Sequence, residues 1–169
     1  MRFIIFSSAG FLACVVFCGT VMSDDDPTRS IAGQIQGRWE IVSGVNQGRA
    51  LLASEVRGTY VTVKDNQIVT FDSQENQKYK ATFVVDDSLD PVQIKMTSVL
   101  KEVVSNNTNA ADQAGLATVV NNESVAVGIL RIDNPRKWTL CYAIPGFERP
   151  TRFESPSGSK VLLFTLEKQ

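Results

Sequence analysis

The chain has 169 residues, 17 basic against 18 acidic, with 43% hydrophobic residues, which suffices for one domain with its own core. The charges are balanced and scattered, so a nucleic-acid partner is not expected, because neutralising phosphates takes clustered Lys and Arg. There is no histidine, which excludes histidine-dependent nucleophile triads and histidine-ligated zinc; no catalytic residue, metal ligand or cofactor site is marked, and the expectation is a non-enzymatic protein.

Residues 1–23 begin with Arg2 and continue through apolar residues 3–6 and 9–18. This is the pattern of a secretory signal peptide, with cleavage after Ser23, where Val21 and Ser23 offer small side chains and Asp24, Asp25 and Asp26 follow. It predicts an exported protein: periplasmic, in the cell envelope, or extracellular. The alternative is a retained N-terminal anchor. The apolar run is shorter than the ~20 residues of a spanning helix, so no stable membrane insertion is expected after cleavage. Cys14 and Cys18 leave with the signal, so Cys141 stands alone and no intrachain disulfide forms. Without a histidine to activate it, Cys141 reads as a strand thiol rather than a nucleophile.

Residues 24–34, polar and containing Pro27, are expected to be a flexible lead. The domain is placed at 35–169. Residues 38–43 alternate Trp39, Ile41 and Ser43 against Glu40 and Val42, the period of a strand with one buried face. A turn is expected over 44–48 and a short helical turn over 50–56, ended by Gly58. Strands follow at 60–64 and 67–71, joined by the tight turn Asp65-Asn66. Residues 78–85 bury Tyr79, Ala81, Phe83 and Val85 on one face, and residues 92–97 place Val92, Ile94 and Met96 together.

The alternation then breaks. Residues 98–124 are rich in Asn, Ala and Ser, which predicts a long loop insertion (about 99–124) with a short helix near 110–119. Strands resume at 125–133 and 137–143, the latter setting Trp138, Leu140 and Tyr142 against Thr139 and Cys141. After a Pro/Gly loop at 144–150, a short strand at 151–154 and a final strand at 160–166 complete the pattern. Eight to nine short strands joined in sequence predict an all-β fold, an antiparallel up-and-down barrel of eight strands.

Three stretches carry a family resemblance: Gln36-Gly37-Arg38-Trp39, the run from Cys141 through Pro145-Gly146 and Arg149-Pro150 to Phe153, and the closing Leu162-Leu163-Phe164-Thr165-Leu166. On these the chain resembles a family of uncharacterised exported planctomycete domains with a lipocalin-like fold. The resemblance implies that fold and an extracytoplasmic address, and no activity or catalytic residue comes with it. The Gly-x-Trp entry also resembles that of lipocalins, whose tryptophan packs against a late basic residue; Arg149, Arg152 and Lys168 all compete for that role here. The family is usually short where this chain carries its insertion, which is read either as a cap over a ligand or partner or as tolerated surface length.

The structural residues expected are Gly37, allowing close packing beside Trp39; Trp39, plugging the barrel; Trp138; Arg149, whose fork of donors can satisfy backbone carbonyls; Pro150, fixing the turn; and Phe153. The inward set proposed is Tyr60 or Val61, Ile68 or Val69, Tyr79, Phe83, Ile94, Ile129, Trp138, Tyr142, Phe153, Leu162 and Phe164, bulky enough to favour a filled interior. Two function classes remain. One is a monomeric binding or interaction module for an unknown small apolar ligand or an envelope protein. The other is a carboxylate-dependent hydrolase, with Asp86, Asp87, Glu148 and Glu154 as the loop carboxylates that would have to converge.

Overall fold

The computed structural model describes residues 30–104 and 118–169, with backbone alone over 99–104 and 118–122; the signal-peptide reading of residues 1–23 lies outside it. Alternating sequence becomes alternating burial: β3 (Tyr60–Lys64), β4 (Gln67–Phe71), β5 (Gln77–Asp86), β6 (Val92–Val104), β7 (Thr118–Asn134), β8 (Lys137–Ala143) and β9 (Val161–Lys168) form an antiparallel meander, each strand bonded to the next. β1 (Gly37–Asn46) pairs β3 on one edge and β9 on the other, from Trp39↔Lys168 to Asn46↔Leu162. The sheet therefore closes into an eight-stranded up-and-down barrel. A two-residue strand β2 (Arg49–Ala50) returns along β1 beyond β3.

β1 is bulged past its pairing with β3. The β1–β9 register shifts between Ile41 and Ser43, leaving Val42 exposed and passing inward orientation from Trp39 and Ile41 to Gly44. An extra residue in one strand sharpens the local twist, as closure requires. The shift turns Ser43 out, contrary to the simple alternation, and β1 runs to Asn46 where a turn was expected. The turn itself is Gln47-Gly48, both with positive φ (49° and 86°). Asp65 likewise takes a positive φ of 53° in the predicted β3–β4 hairpin.

The end of the barrel bearing the Asp65, Asp87 and Asn134 turns is shut. Residues 31–34, expected as mobile lead, form helix α1 (Ile31–Gln34), its first turn capped by the Ser30 hydroxyl accepting from Gly33 N at 3.1 Å. Gln36 ties this helix to the β3–β4 turn, accepting from Asp65 N at 2.9 Å and donating to Asp65 O at 3.0 Å and Ala32 O at 2.8 Å. Ile35 and Trp39, 0% and 1% exposed, sit beneath it, and the Trp39 indole donates to Ile35 O at 2.7 Å. Trp138 meets Trp39 edge to face, with centroids 6.0 Å apart. At the other end, helix α2 (Ala53–Val56) occupies the predicted helical turn and buries Val56.

A second, smaller core lies outside the barrel wall. Ile129, Cys141, Ala143 and Val161 point outward and are buried with Phe153 and Leu163 packed on them. The cover is the β8–β9 connection, residues 144–160, in which 151–153 are bends and 154 is irregular instead of the expected strand. Ile129 and Phe153 thus face away from the interior. The cause is parity: Leu130 and Leu140 share the inner cluster, so their chain neighbours Ile129 and Cys141 must face out.

The insertion begins differently from expectation. β6 and β7 continue as a ladder from Ser98↔Ser124 to Val104↔Thr118, while the β5–β6 ladder ends at Thr82↔Thr97 and the β7–β8 ladder at Val127↔Ala143. The two strands leave the wall as a ribbon reaching roughly 23 Å beyond Thr97, at ~3.3 Å per residue. Val99, Val103, Val104, Val119 and Val120 supply the β-branched residues that favour this. Residues 105–117, with most of the predicted helix, lie outside the described residues.

Candidate functional site

Above the tryptophan pair the barrel is not filled. A cavity of about 180 Å³ lies between Ile41 of β1, Val61 of β3, Ile68 and Thr70 of β4, Tyr79 of β5, Met96 of β6, Leu140 and Tyr142 of β8, and Phe164 and Leu166 of β9. Seven of the strands contribute, β4, β8 and β9 with two residues each at period two, so the inner face of the sheet is itself the site. Of the paired alternatives, Val61 and Ile68 line it; Tyr60 points out, stacked on Phe71 at 4.9 Å with the Arg38 guanidinium 3.6 Å from its ring centroid.

The inner face also carries small residues beside the cavity lining. Ala81 and Ala126 are buried in the core, and Gly128 stands opposite Tyr142 in the β7–β8 ladder. A Cβ at Gly128 would come within 2.7 Å of Tyr142 Cβ and 2.5 Å of Cys141 O, so glycine lets the Tyr142 backbone approach. The bulky residues expected to fill the interior do so only in part: the two tryptophans occupy the shut end, and Tyr142 and Phe164 stack on the cavity wall with centroids 6.2 Å apart.

Two phenols dominate the polar character of the cavity. Burial pushes the Tyr142 hydroxyl up to about 12, and the nearby Tyr79 adds to the shift. Burial raises Tyr79 as well, opposed by the Ser98 hydroxyl beside it. Ser98 is itself buried and donates to Ser124 O at 3.4 Å. Thr70 adds a third hydroxyl to the lining, and among the described residues no charged side chain lines the cavity. Such a wall suits an apolar guest and repels an ion, because a buried charge without a partner is costly.

The other residues singled out in the sequence are structural. Gly37 has φ +115°, and its would-be Cβ meets only Lys168 Cε at 3.8 Å, so the backbone conformation demands glycine, not crowding beside Trp39. Of the three competing basic residues, Lys168 reaches the tryptophan, with Nζ 5.3 Å from the Trp39 ring centroid. Arg149 instead bonds the Gln93 side chain through Nη1, not the backbone carbonyls expected, and with the half-buried Pro150 belongs to the outer cover. Arg131 lies 4.6 Å over the Phe153 ring from the barrel wall. Cys141 is 0% exposed, with Sγ 3.5 Å from both Arg152 O and Glu154 O, and burial pushes its thiol up to about 11.

Asp86 and Asp87 lie at the shut end, bonded to Ser88 and Ile31 N respectively, and Glu148 and Glu154 lie in the β8–β9 connection that covers the outer wall. Carboxylates that shift do so downward: Glu55 to about 2 by the Arg49 guanidinium, and Asp72 by Lys78. A glycosidase-type acid needs the opposite shift. Among the described residues no group of three or more Cys, Asp or Glu side chains could hold a metal ion.

Compared with protein-family models, curated proteins and solved structures, the chain matches none. The cavity and its lining therefore carry the functional argument.

Proposed function

We propose that the chain is an exported, non-enzymatic binding module that holds one small apolar molecule inside its barrel. The observation that carries this reading is the cavity of about 180 Å³ walled by aliphatic, thioether and aromatic side chains. An engineered apolar cavity of about 150 Å³ stays dry and takes up benzene, so a space of this size and polarity is a site for a ring-sized guest. Barrels of about eight strands either fill their interior or keep room for one small ligand, and here the small residues Ala81, Ala126 and Gly128 favour room. The N-terminal segment and the likeness to exported planctomycete domains support an extracytoplasmic address. The sequestered Cys141 supports binding over chemistry.

The test is native mass spectrometry of the protein isolated from the cells that make it, with mild activation to release a passenger. A released small apolar molecule is the expected result. A clean unliganded mass, together with no rise in melting temperature across a panel of one-ring and two-ring hydrocarbons, would overturn the proposal.

A further inference from the structure

Resting on the cavity reading above, we infer that the ligand is electrically neutral and carries one hydrogen-bonding group, an alcohol, phenol or carbonyl, seated against the hydroxyls of Tyr79 and Tyr142. Among the described residues, the cavity wall holds hydroxyls but no cation and no anion. A carboxylate or ammonium entering it would shed its water without gaining a counter-charge, and its charged form would be rejected. A pure hydrocarbon would strip water from the phenols and return no hydrogen bond. A neutral hydroxyl or carbonyl does return one, because a phenol both donates and accepts.

The geometry gathers these hydroxyls on one side. Tyr79 is the third residue of β5 and Tyr142 the sixth of β8, both lining the cavity toward the end of the barrel away from the tryptophans, and Tyr79 is close enough to act on the ionisation of Tyr142. Ser98 extends the cluster behind Tyr79. The opposite side, formed by Ile41, Met96, Leu140 and Leu166, offers only apolar atoms. The guest therefore has a direction: apolar body toward Trp39 and Trp138, polar group toward the phenols. The volume admits a single substituted ring and not a long acyl chain.

Three probes of nearly one shape separate the terms: toluene, p-cresol and p-toluate, titrated calorimetrically into the purified full chain near pH 7, where p-cresol is neutral and p-toluate charged. p-Cresol is expected to bind about fivefold more tightly than toluene, and p-toluate more than about tenfold more weakly than p-cresol. Tyr142→Phe and Tyr79→Phe are expected to remove the preference for p-cresol over toluene, weakening p-cresol and strengthening toluene, which then has one phenol fewer to desolvate. Toluene binding as tightly as p-cresol, or p-toluate binding as tightly, would sink this inference while the cavity reading stands. Failure of all three probes to bind would sink the cavity reading itself. Retention of the p-cresol preference in both variants would overturn the placement of the polar group. Should either variant not fold, the ranking of the probes on the unaltered protein still decides.

Discussion

Replacing Trp39 probes the shut end directly. Trp39 is 1% exposed, donates to Ile35 O at 2.7 Å, and meets Trp138 at 6.0 Å. Trp39→Ala removes a large buried ring and leaves a cavity, a change that costs about 3–5 kcal/mol. Trp39→Phe keeps most of the apolar volume but orphans the Ile35 carbonyl, a loss of about 1–3 kcal/mol. Against a typical total of about 5–15 kcal/mol, the alanine variant should be marginal and the phenylalanine variant folded. The chain has two tryptophans, so either substitution leaves Trp138 as the lone indole reporter. Urea unfolding followed by its fluorescence should show both midpoints falling, alanine well below phenylalanine, with unchanged slopes. A loss under about 1 kcal/mol for Trp39→Ala would refute the claim that this residue closes the barrel. Ligand affinity in Trp39→Phe should match that of the unaltered protein, because Trp39 does not line the cavity.

Gly37→Ala should destabilise by about 1–3 kcal/mol although its space is open, because φ +115° is unfavourable for any residue with a Cβ; urea midpoints measure this. Gly128→Ala fails for the opposite reason, contact with Tyr142 and Cys141, and should cost about 1–3 kcal/mol and lower ligand affinity as Tyr142 is displaced into the cavity. Stability should fall in alkali. Cys141 is raised from 9.0 to about 11, so the folded state holds the thiol proton more tightly than the unfolded one. The resulting stabilisation is complete below pH 9 and lost as pH rises to 11, an amount on the order of 3 kcal/mol. Tyr142, raised from 10.0 to about 12, extends the loss to higher pH. Unfolding free energies measured from pH 8 to 12 should decline along this course, and Cys141→Ala should remove the part between 9 and 11; a flat profile would contradict the burial of both groups.

Most of the barrel is legible in the sequence because its code is period two. Residues 78–85 announce an inner face of Tyr79, Ala81, Phe83 and Val85, and β5 delivers it. Errors arise where something other than alternation decides. The bulge at Val42 resets parity without any sequence mark, so Ser43 faces out. Ile129 and Phe153 are as apolar as inner residues because a second core lies under the 144–160 cover, and hydrophobicity alone does not say which side of a sheet is covered. Helix α1, at four residues, is too short to display a helical period. The flanks of the insertion were hidden by neighbouring Asn clusters, although their valines carry the strand signal. Tyr79 and Tyr142 were legible as inward residues but not as partners, since 63 positions separate them and only closure of the barrel sets them across one cavity.

The two ends of the interior are built for different tasks from the same inner face. Toward α1, large residues meet large ones: Trp39 against Trp138, with Ile35 above them and Lys168 across the Trp39 ring. Every replacement there opens a hole in a region that anchors the N-terminal helix and the closing strand pair, so this end sets stability. Farther along, Tyr142 faces a glycine and the neighbouring walls carry Ala81 and Ala126, so large residues meet small ones and space remains. A core selected for stability alone would fill that space, since each lost contact costs free energy. Under the proposed function, a guest molecule seated against the two phenols would supply those contacts. The stability of the barrel should therefore rise with ligand concentration, through binding to the folded chain alone.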